Sequence, residues 1–243
     1  MAQSQSNQLT NKEFLNVIKH SFDAFLIKGT SRSTDKLKPL HGAIAQDISV
    51  RLGNEYTVVS QGYMDDREDC IKGRYIDKVV DITIKKDNKA IAGIAVKFVM
   101  QNYAQNSNNY FENMLGETAN IRSNNIPYFQ IFIIIDKLPY YNRDKRITRW
   151  ETFSEHHIAK YVMLSKDNTD ICFHTPNKTL IYVVHLPECN NDVETAHDYI
   201  DYYRKNPYDV TLTNNRYEAM GSAVILNDYE KFITKVYHTI LSL

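Results

Sequence analysis

The chain contains 243 residues, of which 43% are hydrophobic and 24% charged, and it has only 8 glycines and 6 prolines. This composition excludes a disordered or fibrous protein, and the length is sufficient for one full hydrophobic core. The 29 basic and 29 acidic side chains give a net charge of +0, so any contact with nucleic acid has to depend on a local basic surface.

The apolar runs are short, and the longest, IFIII at 131–135, is far below the roughly 18–20 residues of a membrane span. The first residues have neither the basic start nor the apolar stretch of a signal peptide. Three widely spaced cysteines without a CxxC motif argue against a structural zinc site. We therefore expect reduced thiols, no membrane contact and a cytoplasmic, intracellular location.

The first third of the sequence has the spacing of two helices. Hydrophobic residues recur at helical intervals over 12–27 and over about 39–52, and Gly53 ends the second pattern. A polar, basic segment lies around the junction of the two helices. Its basic side chains are candidates for contact with a phosphate backbone; they are Lys28, Arg32, Lys36 and Lys38.

From residue 56 onward the hydrophobic period changes to that of strands. Strands are predicted at 56–60, 78–84, 90–100 and 128–135. A charged, turn-like segment covers 65–74, and a helix is predicted over 108–122. This order predicts an α/β fold in which a central mixed sheet is flanked by helices, with an αβββαβ core at about 39–136.

The remainder, 137–243, is interpreted as a C-terminal elaboration of one domain that spans 1–243. A basic, aromatic loop is predicted at 138–151. Short strands are predicted at 161–164 and 179–186, and helices at 192–205 and 226–242.

Two charged residues interrupt the apolar strands of the predicted hairpin. Asp81 lies within KVVDITI, and Lys97 shares its strand face with Gly93 and Ala95. An unpaired lysine in such a strand is costly, so we expect Lys97 to lie opposite Asp81. The two residues form either a cross-strand ion pair or the core of a phosphodiesterase site, in which a carboxylate binds Mg²⁺ and an ammonium acts on water or phosphate.

A metal site of this kind requires a second acid. Ala95 occupies the usual position of that acid, two residues before Lys97, so another element has to supply it. Glu112 and Glu117 are five residues apart on the following helix and cannot both face one point. We prefer Glu112, which is closer in sequence to Lys97, and keep Glu117 and Asp77 as alternative acids.

The segments around these residues resemble a known family. GRYIDKVVDITI, AGIAVKFVMQNYAQNSNNYFENMLGETANIR and IPYFQIFIIIDKLPYY together resemble type II restriction endonucleases of the PD-(D/E)xK nuclease superfamily, over about 40–135. The resemblance implies catalytic roles for Asp81 and Lys97. Some of these enzymes carry the second acid on the following helix, which implies that Asp81 and Glu112 bind the Mg²⁺ ion.

The resemblance also implies a substrate and partners. We expect a Mg²⁺-dependent, sequence-specific endonuclease that hydrolyses double-stranded DNA in a prokaryotic cell. A homodimer is expected because a symmetric site is cut in both strands, and a cognate DNA methyltransferase acts on the same site without having to bind the protein. Two alternatives remain open: an inactive nuclease-fold DNA-binding protein, to which Ala95 points, and a structure-selective DNA repair nuclease.

Two polar segments are candidates for DNA contact. The run MQNYAQNSNNYFEN at 100–113 is rich in amides, which form paired hydrogen bonds with adenine, and RDKRITR at 143–149 is basic and suits phosphate contact. Helix capping and a solvated loop are the structural alternatives. The candidates are Gln101, Asn102, Gln105, Asn106, Arg143, Lys145 and Arg146.

Overall fold

The computed structural model describes residues 8–29 and 35–243, so Arg32 of the predicted basic segment lies outside the described residues. Its helices are α1 (Asn11–Lys28), α2 (Lys38–Leu52), α3 (Tyr103–Arg122), α4 (Glu155–Ser165), α5 (Ala196–Lys205) and α6 (Tyr229–Leu241). Its strands are β1 (Tyr56–Ser60), β2 (Asp69–Lys72), β3 (Asp77–Val80), β4 (Ile82–Lys86), β5 (Lys89–Val99), β6 (Tyr128–Ile135), β7 (Lys137–Tyr141), β8 (Ile147–Thr152), β9 (Lys178–His185), β10 (Thr211–Leu212) and β11 (Val224–Leu226).

The described residues form a central sheet of seven strands in the order β1-β4-β5-β6-β9-β10, with β11 also paired to β9. β4 runs antiparallel to β1 and β5, whereas β6 runs parallel to both β5 and β9. All eight residues of β6 are buried, because this apolar strand lies in the middle of the sheet. The predicted α/β fold with a central mixed sheet flanked by helices is therefore confirmed.

Aromatic contacts hold the helices together in two groups. In the first, the ring of Phe14 in α1 stacks on Tyr229 in α6 at 4.1 Å, and the Tyr229 hydroxyl donates a hydrogen bond to Asp47 in α2. In the second, Tyr161 in α4 packs against Phe111 in α3 and against Phe132 in β6. The second group covers the sheet near Lys97, because Lys97 and Phe132 are register partners.

The structure corrects the predicted strand at 78–84. The chain forms β3 up to Val80 and β4 from Ile82, and Asp81 is the single residue between them. β3 pairs with β2 in a separate two-stranded sheet, whereas β4 belongs to the central sheet. The segment 65–74, predicted to be turn-like, therefore contains a strand, because β2 finds its partner in the first half of the predicted strand.

Three predictions in the C-terminal part need correction. The predicted loop at 138–151 is a hairpin of β7 and β8, and the predicted strand at 161–164 is the second half of α4. Helix α4 begins after Ser154, which forms a capping box with His157. The region 137–243 also supplies β9, β10 and β11 to the central sheet, so it completes the core as well as extending it.

The other C-terminal predictions are confirmed with small shifts. The predicted strand at 179–186 corresponds to β9, and the two predicted helices correspond to α5 and α6. The helix predicted from 108 begins earlier, at Tyr103. Among the described residues, no helix combines the length and the hydropathy that a membrane span requires.

Candidate active site

Asp81 lies at the point where the chain passes from the small β2–β3 sheet into the central sheet. The Ser60 hydroxyl donates a hydrogen bond of 2.7 Å to the main-chain carbonyl of Asp81, and the Val96 N–H donates one of 2.7 Å to its Oδ2. Strands β1 and β5 therefore fix both the main chain and the carboxylate. Because β4 and β5 are antiparallel and Ile82 pairs with Ile94, Asp81 lies beside Ala95 and Val96 of β5. Lys97 follows them one residue further along that strand.

A cleft of about 310 Å³ opens beside Asp81, and we call it the Asp81 cleft. Both Asp81 and Lys97 line it, together with Ala95, whose small side chain leaves room above the strand. The other polar residues of the lining are Lys78, Asn113, Glu117 and Gln130. Aromatic residues complete the wall: Tyr110, Tyr128, Phe132 and Tyr161. The cleft thus lies between helices α3 and α4 on one side and the C-terminal half of β5 on the other.

The second acid in the cleft is Glu117, and the preference for Glu112 is corrected on geometry. Glu117 lines the cleft, and its charge acts on both Asp81 and Lys97. Glu112 is exposed and is not part of the lining; its charge acts on Lys160 of α4 instead. The five-residue spacing turns the two glutamates toward different sides of α3, and the helix presents the later one to the sheet.

Neighbouring groups hold Glu117 in place. The Lys78 ammonium donates a hydrogen bond of 2.5 Å to its Oε1, and the Tyr128 hydroxyl lies 3.5 Å from its Oε2. Asp77, the other alternative acid, is exposed on β3 and is not part of the lining. A cation that binds Glu117 therefore competes with Lys78 for the carboxylate.

The cleft shifts the protonation of its charged groups. Desolvation raises the pKa of the Asp81 carboxyl to about 6; the Val96 N–H opposes this shift, and the charge of Glu117 adds to it. Desolvation lowers the pKa of Lys97, while the charges of Asp81 and Glu117 act in the opposite direction. The ammonium of Lys97 also lies 4.6 Å from the centroid of the Tyr110 ring.

A second lysine approaches Lys97 from the segment before α2. Lys36 is buried, and burial lowers its pKa to about 8, with a further contribution from the charge of Lys97. Of the predicted basic segment, Lys36 is therefore buried within reach of the charge of Lys97 and does not form part of an exposed phosphate surface. Lys28 and Lys38 are instead engaged in ion pairs with Asp35 and Asp66.

A further polar group lies on the other side of Asp81. One nitrogen of His41 and one carboxylate oxygen each from Glu68 and Asp81 lie within 4.8 Å of one another. His41 is buried, at 2% exposure, and neither of its ring nitrogens has a hydrogen-bond partner. Burial lowers the pKa of His41 to about 4, and burial together with the charge of Asp81 raises the pKa of Glu68.

Two glycines explain why His41 meets Glu68. A Cβ atom at Gly42 would lie 2.2 Å from the carbonyl oxygen of Gly62, and a Cβ at Gly62 would lie 2.1 Å from the carbonyl oxygen of Lys38. Gly62 also has a positive φ of 71°, which favours glycine. The start of α2 therefore packs directly on the backbone of the segment that leads to Glu68.

Some of the candidate DNA-contacting residues gather in a second concavity, of about 540 Å³, which we call the Lys145 depression. Its polar lining consists of Gln101, Asn102, Asn142, Lys145, His197 and Arg204. It shares no lining residue with the Asp81 cleft. Gln105 is exposed and Asn106 half-buried in the first turns of α3, and Arg143 and Arg146 are exposed in the β7–β8 turn.

The side chain of Asn102 has a structural role. Its Oδ1 accepts a hydrogen bond of 2.9 Å from the Tyr141 N–H, and its Nδ2 donates one of 3.1 Å to the Tyr141 carbonyl. Asn102 is also the N-cap of α3 and has a left-handed φ of 51°. Both ends of its amide are therefore used inside the protein, and the prediction that it reads a base is not supported by these contacts.

Another group of potential metal ligands, Asp167, Cys172 and His174, lies in the segment between α4 and β9. Asp167 accepts a hydrogen bond of 2.5 Å from the Thr175 hydroxyl, and His174 lies 3.5 Å from the same carboxylate oxygen. Hydrogen bonding within the loop thus accounts for this group.

Comparisons with protein-family models, with curated proteins and with solved structures found no match for this chain. Its fold class is therefore established by the strand order alone, and its chemistry has to be argued from the Asp81 cleft.

Sequence reasoning found Asp81 and Lys97 because a charged residue inside an apolar strand is conspicuous. It missed His41, Glu68 and Gln130. Gln130 is the single amide in the apolar run of β6 and was detectable by the same signal. His41 and Glu68 carried no signal of this kind, since a histidine in a helix and a glutamate in a charged turn are common.

Proposed function

We propose that the protein is a Mg²⁺-dependent phosphodiesterase that cuts double-stranded DNA at specific sequences, in the manner of a type II restriction endonuclease. The observation that carries this proposal is the convergence of Asp81, Glu117 and Lys97 on one cleft. Two carboxylates offer the hard oxygen ligands that Mg²⁺ prefers, and an ammonium beside them suits a phosphate oxygen or an attacking water.

The residues of the cleft have separable roles in this proposal. Asp81 and Glu117 hold the cation, whose charge would stabilise the negative charge that develops on the phosphate. Lys97 orients the attacking water or contacts a phosphate oxygen, and its lowered pKa favours exchange of a proton with that water. Glu117 compensates for Ala95, so the missing strand acid does not by itself make the site inactive.

The proposal includes an arrangement on DNA. The exposed β7–β8 turn carries Arg143, Lys145 and Arg146, which suit contacts with the phosphate backbone. A homodimer would bring two clefts to the two strands of a symmetric site. Base recognition falls to the exposed amides of α3, such as Gln105, since Asn102 is engaged with Tyr141.

The test is cleavage of unmethylated phage DNA by the purified protein with Mg²⁺, alongside Asp81→Asn and the matched control Asp77→Asn. Asp81→Asn keeps an oxygen for the Val96 N–H but loses the charge, so we expect a decrease in cleavage rate of about 10³-fold or more. Asp77 is exposed outside the cleft, so Asp77→Asn should cleave like the wild type.

The pattern of products separates the alternatives. Discrete fragments that disappear only with Asp81→Asn support sequence-specific cleavage. Preferential cleavage of branched over linear DNA would favour a structure-selective nuclease. Absence of cleavage on several DNAs with either Mg²⁺ or Mn²⁺, with retained DNA binding, would contradict the proposal and indicate a binding protein.

A further inference from the structure

We propose that His41, Glu68 and Asp81 form a second divalent-cation site, which shares Asp81 with the cleft and prefers a transition metal such as Mn²⁺ to Mg²⁺. The role of this site in catalysis rests on the proposed function, but the site itself rests on the arrangement of these three residues.

The distances suit a single cation. One ligand atom from each residue lies within 4.8 Å of the other two. Bonds of about 2.0–2.2 Å from one metal ion place its ligand atoms roughly 3–4 Å apart, so small side-chain rotations are sufficient to close the site. The three residues come from α2, from the residue before β2 and from the β3–β4 junction.

His41 gives the independent indication of a ligand. Its imidazole is buried, and both ring nitrogens lack a hydrogen-bond partner among the described residues. Buried polar groups in folded proteins are nearly always hydrogen-bonded, and each exception requires an explanation. A metal ion bound between the ring and the two carboxylates would use one of these nitrogens.

The arrangement of the two acids also favours a cation. The carboxylates of Glu68 and Asp81 lie within 4.8 Å of each other, so their negative charges repel when both are ionised. The His41 ring beside them forms no hydrogen bond with either acid. A divalent ion would remove the repulsion between the two acids and satisfy the imidazole in one step.

The identity of the cation follows from the donor atoms. An imidazole nitrogen with two carboxylates suits Mn²⁺, Co²⁺ or Zn²⁺, while Mg²⁺ prefers oxygen ligands and retains its water. The Asp81 and Glu117 pair offers oxygen ligands only, so the two sites differ in their preference. Asp81 then acts as a bridge between a nitrogen-containing site and an oxygen-only site.

The backbone holds the site before any metal arrives. The contact of Gly42 with Gly62 places α2 against the segment before Glu68, and hydrogen bonds from Ser60 and Val96 hold Asp81. The Lys38 ammonium also binds Asp66 at 2.6 Å, which ties the same segment to the start of α2. The residues that bind the metal are therefore already held in place, so metal binding has a small entropic cost for ordering them, which favours tight binding.

The test is a titration of the full chain with Mn²⁺ in the absence of DNA, followed by the loss of the electron paramagnetic resonance signal of free Mn²⁺. His41→Asn and Glu68→Gln each remove one ligand, and His156→Asn and Glu55→Gln are matched controls at exposed positions. We expect Mn²⁺ affinity to fall by at least about tenfold in both site variants and to remain within twofold in the controls.

Competition with Mg²⁺ tests the preference. The wild-type chain should bind Mn²⁺ at least about tenfold more tightly than Mg²⁺, and His41→Asn should bring this ratio close to one. Because His41 is buried, circular dichroism checks each variant, and Glu68→Gln at a half-buried position provides the result if His41→Asn fails to fold.

Two results would overturn the proposal: equal affinity of the wild type for Mn²⁺ and Mg²⁺, or unchanged Mn²⁺ affinity in folded Glu68→Gln. Both are separate from failure of the proposed function. If the chain binds Mn²⁺ through His41 but cuts no DNA, the metal site is supported and the proposed nuclease function is contradicted. If the chain cuts DNA but its Mn²⁺ affinity is unchanged in the variants, the nuclease function is supported and this metal site is contradicted.

Discussion

The Asp81 cleft and the Lys145 depression are both polar concavities, but their polar groups are used differently. In the Lys145 depression, Asn102 binds the main chain of Tyr141, and the Arg204 guanidinium donates to the carbonyls of Leu26 and Ile27 at the end of α1. Asn142 Oδ1 accepts from the N–H groups of Asp144 and Arg146.

Around Asp81 the polar groups conflict with one another. The carboxylates of Glu68 and Asp81 lie close together, His41 has no hydrogen-bond partner, and desolvation shifts the pKa values of Asp81 and Lys97. Polar side chains that form hydrogen bonds with the main chain stabilise the fold, whereas buried polar side chains that lack partners or repel each other indicate a ligand-binding site. The comparison therefore favours the Asp81 cleft as the place of the proposed chemistry, whereas much of the Lys145 depression serves to hold the fold together.

Among the variants that test this comparison, Lys97→Ala is expected to have the largest effect. The side chain lies in the cleft, and the other lysine of the lining, Lys78, is held by Glu117, so we expect the cleavage rate to fall by about 10²–10⁴-fold. Single-turnover cleavage measures the rate, and Lys89→Ala, at the exposed start of β5, is the control. A reduction shared equally by both variants would remove Lys97 from the mechanism.

The two glutamates of α3 provide the next test. Glu117→Gln removes a charged ligand from the cleft, and we expect a loss of about 100-fold in cleavage rate at limiting Mg²⁺. Glu112→Gln changes an exposed side chain outside the cleft and should leave the rate within twofold. The cleavage rate is measured against Mg²⁺ concentration. A larger loss in Glu112→Gln than in Glu117→Gln would instead identify Glu112 as the second metal ligand, as the sequence spacing predicts.

Asn102→Ala tests whether the polar residues of the Lys145 depression have a structural role. It leaves the N–H and the carbonyl of Tyr141 without their partner, so the free energy of unfolding should decrease by about 1–3 kcal/mol. Urea denaturation measures it, with Asn108→Ala at an exposed position of the same helix as the control, expected within about 0.5 kcal/mol. Unchanged stability together with a changed cleavage sequence would show that Asn102 reads a base.

The smallest effect is expected for Lys145→Ala. A phosphate contact adds affinity without sequence preference, so binding should weaken by a similar factor on all DNAs, and the slope of log K against log salt should decrease by about one. Binding in Ca²⁺, at several salt concentrations, measures the slope. A loss confined to one DNA sequence would instead give Lys145 a role in recognition.

Much of the fold could be predicted because its signals are local. The apolar run of β6 and the helical spacing of α1 and α2 predicted the bounds of these three elements to within one residue. The break at Asp81 could not be predicted, since the choice of β2 as the partner of β3 depends on contacts distant in sequence. The β7–β8 hairpin was missed because Pro139 and the polar turn weaken the strand pattern.

The site was predictable only in part for a similar reason. Asp81 and Lys97 stand out from their own strands, but the choice between Glu112 and Glu117 depends on how α3 is rotated against the sheet. The approach of His41 to Glu68 depends on two glycines twenty residues apart in sequence, Gly42 and Gly62, whose backbone contact only the folded chain shows.

The position of Asp81 between β3 and β4 places it where the two sheets join. Glu68 immediately precedes the β2–β3 sheet, whereas Lys97 belongs to the central sheet. The small sheet packs on the central one, since Val80 lies in the same buried cluster as Tyr128. The acids proposed to bind metal therefore keep their spacing only while the two sheets stay packed, so the apolar contacts that stabilise the fold also set the geometry of the site.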